Sequence, residues 1–318
     1  MHLAISLDIA AANGQDVLSL GQISAFVRKA EAAGVDMVVI SDTADGSSSS
    51  PFEATTLLAA LATVTDKIGL VASASTLMHQ PYNLARRFAS LDIISHGRIG
   101  WIANLAQNPR EATNFSRPEG FSDEDFRRRA KEFINIVRAL WIGWDRDALL
   151  FDKATGRFHD PDKMHPLNHT GEFFSVRGPL NVARSPQDRP VLAMSRLAEA
   201  DFDLASGAAD VVLIEGPPKA LKVAVGDLKH RAAAIGREPE TVKVLATVAQ
   251  TSEPAAGSLQ ALLEASGCDG YNFVLPADAG ALDDFADRVL PELRGHGIAG
   301  QGQQGPTLRA HLGLGGAQ

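Results

Sequence analysis

The chain has 318 residues, of which 45% are hydrophobic and 21% charged, the composition of an ordinary globular core. Its net charge of −8 argues against a nucleic-acid partner, whose phosphates it would repel at long range. A single cysteine, Cys268, excludes an internal disulfide and any multi-cysteine metal site, and no apolar run reaches the roughly 18 residues of a membrane span. The opening MHLAISLDIA lacks the basic flank of a signal peptide and reads as a first strand, so the cytoplasm is the expected compartment.

Eight short apolar or β-branched runs follow one another along the chain: 3–9, 35–41, 67–73, 98–103, 189–195, 210–216, 242–249 and 270–276. Near-continuous apolar runs suit strands covered on both faces, as in a parallel sheet. Helical stretches separate them. Leu20, Ile23, Phe26, Val27, Ala30 and Ala33 keep a three-four spacing before Gly34. Phe52 to Val64 follows Pro51, and Phe126, Ala130, Phe133, Ile134, Val137, Leu140 and Trp141 make the strongest amphipathic stripe. The helix over 282–293 is expected to bend or end at Pro291. Eight β-then-α units predict a single (β/α)₈ barrel over 1–318 in preference to an open doubly wound sheet. Residues 104–125 are a polar excursion, and 143–188, between the fourth and fifth strands, form a loop-rich insertion of the kind that serves as a lid or binding surface. The glycine-rich end, 300–318, predicts a flexible or loosely docked tail.

A barrel carries its site at the C-terminal strand ends, which directs attention to Asp42, Ser73, Asn104, Ser195, Glu215, Gln250 and Pro276. Asp8, Asp42 and Glu215 stand where acid–base groups would. GHGIAG (295–300) matches a dinucleotide pattern but follows a helix, and reads as a glycine-rich helix exit. His165 and His169 sit four apart in a loop with no third ligand at metal spacing, so no metal is expected. His79 and His96 flank the third and fourth strands, where a structural hydrogen-bonding role is the commoner one. Arg127, Arg128 and Arg129 open a helix, either as a solvated face or as an anion clamp. From the residues alone the chain is a barrel enzyme whose reaction is open.

Three longer segments are more specific. PYNLARRFASLDIISHGRIGW (81–101), the stretch 126–192, and 268–298 with TLRAHLGL (307–314) resemble the luciferase-like flavin monooxygenases, in the branch of nitrilotriacetate and dibenzothiophene-sulfone monooxygenases. The resemblance implies a barrel that takes reduced FMN from a separate flavin reductase and uses O₂ to oxygenate a small organic substrate, commonly as a homodimer. It implies flavin contacts at Asp42 and Ser73, and phosphate contacts near Ser122, Ser195 and Arg196. This chain departs from the family pattern at one end of that ligand. Ile102, Leu105 and Ala106 stand where the family has polar residues, Phe126 stands for a phosphate-binding Tyr, and Ala198 and Asp201 interrupt a glycine-and-serine loop. Losing two or three charge-assisted hydrogen bonds, at about 1.5–3 kcal/mol each, would weaken a phosphate grip about a thousandfold. Arg196 or the arginine triplet could restore it. The alternative expectation is a non-catalytic or flavin-poor paralogue that serves as a binding or partner subunit.

Overall fold

The computed structural model describes residues 1–9, 18–41, 52–105, 107–115, 119–249, 256–276, 278–297 and 304–315. Each of the eight expected runs is a strand. In chain order the elements are β1 (His2–Asp8), α1 (Leu20–Ala32), β2 (Met37–Ser41), α2 (Ala54–Ala62), β3 (Gly69–Ser73), α3 (Pro81–Ile94), β4 (Ile99–Asn104), α4 (Pro109–Ala112) and α5 (Asp123–Trp141). The insertion holds two hairpins, β5 (Leu149–Asp152) with β6 (Arg157–His159), and β7 (His169–Thr170) with β8 (Ser175–Val176). The barrel resumes with β9 (Val191–Ser195), α6 (Phe202–Ala208), β10 (Val211–Ile214), α7 (Pro218–Ala234), β11 (Lys243–Ala249), α8 (Ala256–Ser266) and β12 (Gly270–Leu275). It closes in the order β1-β12-β11-β10-β9-β4-β3-β2, with every neighbouring pair parallel. Among the described residues no helix is long and apolar enough to cross a membrane.

Alternation along each strand splits the core in two. One face packs on the helices, where Trp101 is fully buried among Phe88, Phe133 and Trp141 and donates from Nε1 to the Ala74 carbonyl at 2.9 Å. The other face fills the lumen with Ala4, Met37, Val39, Val71, Ile102, Val191, Ala193, Val211, Leu213 and Leu245. Three tail residues, Leu308, Leu312 and Leu314, complete that inner cluster.

The expected loose tail is therefore corrected over 304–315. The short helix Leu308–His311 floors the barrel: the Leu308 amide donates to the Gly97 carbonyl at 3.0 Å, and the Arg309 amide to Gln187 Oε1 at 3.1 Å. A Cβ on Gly69 would collide with Leu308 Cδ1, so the strand needs glycine there for the plug to seat. A charge fixes it as well. Arg309 Nη1 lies 3.0 Å from Asp210 Oδ2, and Asp210 is 1% exposed. Residues 300–303 and 316–318 of the expected tail lie outside the described residues.

Pro291 neither ends nor breaks its helix. A π turn, Phe285–Val289, joins α9 (Ala279–Asp284) to α10 (Leu290–Gly295), and the wider turn absorbs the amide that proline lacks. The insertion is fastened to α5. Glu132 accepts the amides of Phe173 and Phe174 at 3.0 Å each and faces His169 Nε2 at 2.9 Å, while Phe174 packs edge-on against Phe133.

One buried carboxylate makes stability depend on pH. Asp92, 0% exposed, accepts from the Ile99 amide at 3.0 Å and Gln187 Nε2 at 2.7 Å, and its Oδ2 has no partner among the described residues. Burial pushes its carboxyl up to about 6, against the pull of these hydrogen bonds and the nearby Ser185 hydroxyl. An acid with a raised folded pKa costs stability as pH climbs from its unfolded value of 3.8 through 6, and the cost is complete above that. Asp92→Asn is expected to be more stable than the parent by about 1–2 kcal/mol at pH 7.5 and equal to it near pH 4. Urea midpoints at the two pH values check this, and equal midpoints at pH 7.5 would refute it.

Candidate functional site

Because Ala4, Val39, Val71, Ala193 and Leu245 face the lumen, the residues two further along each strand face it at the C-terminal end. These are Ser6, Ser41, Ser73, Ser195 and Thr247. Asn272 joins them, since it pairs in register with Ala4 on one side and Thr247 on the other. Ser6, Ser41, Ser195 and Thr247 remain partly exposed, whereas Ser73 is buried at 5%. Among the described side chains the mouth is thus ringed by uncharged hydroxyl and amide groups over an apolar floor that includes Ile102 and Leu213. Such a rim can orient a planar polar ligand by hydrogen bonds and keep water from beneath it.

The structure brings two of the expected contacts together. Ser73 ends β3 and Ser195 ends β9, on either side of β4, where Asn104 pairs in register with Ser195. Asp42, Ala106 and Gln250 lie outside the described residues. Glu215 is exposed just past β10. Ser122 lies on the β4–α5 connection and not on a strand end. It caps α5, its Oγ accepting the Asp125 amide at 3.1 Å, so only its hydroxyl proton is left for a ligand. Arg196 directly follows Ser195, exposed and with a positive φ of 54° that turns the chain outward.

The substituted positions form a consistent set. Leu105 is buried at 5% and Ile102 at 4%. Phe126 sits in a small apolar cluster with Leu77 and Ala112, with Phe121 against it, and it has no hydroxyl to offer. Asp201 is buried at 4% and closes the β9–α6 turn on itself: its Oδ2 accepts the Ala198 amide at 2.8 Å, and its Oδ1 lies 3.2 Å from Arg127 Nε. An internal carboxylate therefore occupies both the Ala198 amide and the Arg127 guanidinium.

The arginine triplet resolves into three fates. Arg127 does clamp an anion, but the anion is Asp201. Arg128 pairs with Glu124, Asp125 and Glu172 on the surface. Arg129, 9% exposed, corrects the solvated-face reading: it donates to the Thr76 carbonyl at 2.7 Å and lies 4.8 Å over Phe174. His165 and His169 bind separate carboxylates, Asp145 and Glu132. Gly297, in the glycine-rich stretch, has a φ of 70° and ends α10.

Sequence reasoning missed a cleft of about 580 Å³ between α2 and α3, lined by Glu53, Thr55, Met78, His79, Arg87 and Leu91. Its residues come from three elements and share no motif. Burial, with the Arg87 cation beside it, holds the His79 imidazole below its usual range, so it is neutral at pH 7.

Comparison with known proteins agrees with this fold. Nitrilotriacetate monooxygenase component A of Aminobacter aminovorans is 41% identical over 245 residues, covering 74% of this chain and 54% of that protein. Dibenzothiophene-sulfone monooxygenase of Rhodococcus erythropolis is 37% identical over 213 residues, covering 67% of this chain and 46% of its own length. The chain thus spans about half the length of these two relatives. One of the subunits of pristinamycin IIA synthase from Streptomyces pristinaespiralis is 36% identical and matches nearly end to end, over 93% of this chain and 90% of its own length. In fold, a crystal structure of a long-chain alkane monooxygenase superposes with a TM-score of 0.88 over 99% of this chain and 96% of that one, at 21% identity. The model of the luciferase-like monooxygenases matches residues 1–284, and the chain belongs to that family.

Proposed function

We propose that the chain is a flavin-dependent monooxygenase that holds reduced FMN at the barrel mouth, receives it from a separate flavin reductase, and oxygenates a small organic substrate in the cytoplasm. The observation that carries this reading is the pair of hydroxyls, Ser73 and Ser195, at the lumen ends of β3 and β9 beside β4. They fit the polar edge of an isoalloxazine ring, and Ile102 and Leu105 supply an apolar wall next to it. When bound, the reduced flavin supplies the electrons with which O₂ is divided between product and water. The chain's own part is to orient the ring and exclude water, because a dry pocket protects a reactive ligand. At the phosphate end the fit is altered, since Asp201 occupies the Ala198 amide and Arg196 is the nearest exposed cation in sequence. We also propose a homodimer, supported by Val64, Ile93 and Ile94, which are 40%, 42% and 49% exposed at the adjoining ends of α2 and α3.

Titration with FMN and riboflavin tests the reading. Saturable binding of both is expected, and Arg196→Ala should weaken FMN about tenfold while leaving riboflavin unchanged. Equal losses for both ligands would remove Arg196 from the phosphate. Absence of saturable flavin binding at high micromolar concentration would retire the enzyme reading.

A second reading has its own support. The synthase relative that matches end to end is named as a subunit, and another subunit of the same synthase is also similar, 29% identical over 83% of this chain. With Asp201 filling its own turn, the chain would then be the flavin-poor member of a pair of homologous barrels. Co-purification with a longer homologue, without bound flavin, is the result that favours it.

A further inference from the structure

The mouth has two halves. The strands β2, β3, β4 and β9 form one contiguous arc, and β10, β11, β12 and β1 form the other. The proposed flavin contacts fall on the first arc. On the second, three side chains from adjacent strands are hydrogen-bonded in a row. Ser6 Oγ donates to Asn272 Oδ1 at 2.8 Å, and Asn272 Nδ2 donates to Thr247 Oγ1 at 3.3 Å. We infer that Ser6, Asn272 and Thr247 form the substrate-recognising wall of the mouth, selecting a neutral molecule with a carbonyl or sulfonyl oxygen over a polycarboxylate. This assignment rests on the flavin reading of the opposite arc.

Asn272 is 2% exposed, and a primary amide in a barrel lumen is unfavourable unless its groups are paired. The row pairs it on both sides, with the oxygen placed toward Ser6 and the nitrogen toward Thr247. In this arrangement the Thr247 oxygen is the acceptor, which leaves its proton for another partner. No described residue accepts that proton, and Thr247 is partly open to the mouth, so a hydroxyl donor is available to the lumen. Apolar packing would need no such row.

Charge decides what the donor takes. Among the lumen-facing positions at the C-terminal ends of β1, β11 and β12 whose side chains are described, Ser6, Thr247, Asn272 and Val274, there is no cation. Lys243 lies at the opposite end of β11, and Arg196 follows β9 across the mouth. A carboxylate brought against this wall would lose its water and gain no counter-charge, whereas a neutral oxygen needs one O–H.

Isothermal titration of the full chain with methyl phenyl sulfone and with nitrilotriacetate as probes tests the wall, with FMN titrated separately. The sulfone should bind saturably and nitrilotriacetate about tenfold more weakly or not at all. Thr247→Val, which keeps the shape and deletes the hydroxyl, should weaken the sulfone about three- to tenfold, and Thr247→Ser should restore it. FMN affinity should be the same in all three proteins, whereas the urea midpoint should fall in Thr247→Val, which leaves Asn272 Nδ2 without its acceptor, and recover in Thr247→Ser; sulfone affinities are therefore compared in buffer where each protein is fully folded. Unchanged sulfone affinity in Thr247→Val, tighter binding of nitrilotriacetate than of the sulfone, or no saturable sulfone binding would each overturn the inference. Because the sulfone titration needs no flavin, loss of FMN binding alone would sink the flavin reading and leave the wall standing.

Discussion

Asp210→Ala is expected to lower stability toward urea by about 3–5 kcal/mol at pH 7, because it strands buried positive charge. Asp210 Oδ2 accepts from the Leu192 amide at 3.0 Å and faces Arg309 Nη1 at 3.0 Å, while Oδ1 lies 3.2 Å from Arg189 Nη2 and 4.0 Å from Arg237. Arg309, Arg189 and Arg237 are largely buried and cannot lose their protons, so removing the carboxylate leaves them without compensation. The same change unfastens the tail helix that floors the barrel. Acid behaviour gives an independent check. Burial pushes the Asp210 carboxyl up, but Arg309 and Arg189 pull it down further, and it ends below its ordinary value of 3.8. A depressed carboxylate contributes stability that is present above that value and is lost as pH falls through the folded pKa. The parent should therefore lose this share as pH falls below 3.8, while the alanine variant has none to lose. A loss below about 1 kcal/mol at pH 7 would show that the network is not what seats the tail.

Much of this fold was legible because parallel strands buried on both faces are written as short apolar runs. VDMVVIS and KIGLVAS need nothing beyond their neighbours to be strands, and all eight runs are in the barrel. The tail was not legible, because TLRAHLGL is too short to declare a helix and its seat depends on Asp210, some hundred residues earlier. Pro291 was only partly legible: the expectation was a bend or an end, and the helix does not end there but continues past a π turn just upstream. The segment that carries the strongest resemblance, 81–101, contributes structure at its end. Arg98, 2% exposed, donates to the carbonyls of Ala62, Thr65 and Ile68 and so caps α2 and its exit. Within the site, the rule that a barrel works at its C-terminal strand ends directed attention to Ser73 and Ser195, and each does end its strand. The row Ser6–Asn272–Thr247 joins the first strand to the last two; a closed barrel puts those strands side by side, but the sequence does not give the register that brings residues 266 apart into contact. The partner of Arg127 was hidden in the same way.

That partner carries the second large effect. Asp201→Asn is expected to tighten FMN binding ten- to a hundredfold and to leave riboflavin unchanged, the scale of one or two charge-assisted hydrogen bonds. In the parent, an FMN phosphate approaching the β9–α6 turn meets a carboxylate that is 4% exposed and already paired with Arg127. Two like charges would have to share one guanidinium and one amide. Asparagine keeps the size and the acceptor oxygen that closes the turn on Ala198, so the local backbone is preserved. What changes is the sign of the site, since Arg127, 38% exposed along its side chain, is released to face the phosphate. Riboflavin has the same ring without the phosphate, which makes it the internal control for any general change in the mouth. The gain should shrink as salt rises from 50 to 500 mM, because an exposed guanidinium–phosphate pair is screened. Equal changes for FMN and riboflavin, or none for FMN, would mean that the phosphate lies elsewhere. A variant that still binds neither ligand would move the balance to the flavin-poor reading, because the repulsive charge would be gone and the ring contacts alone would have failed.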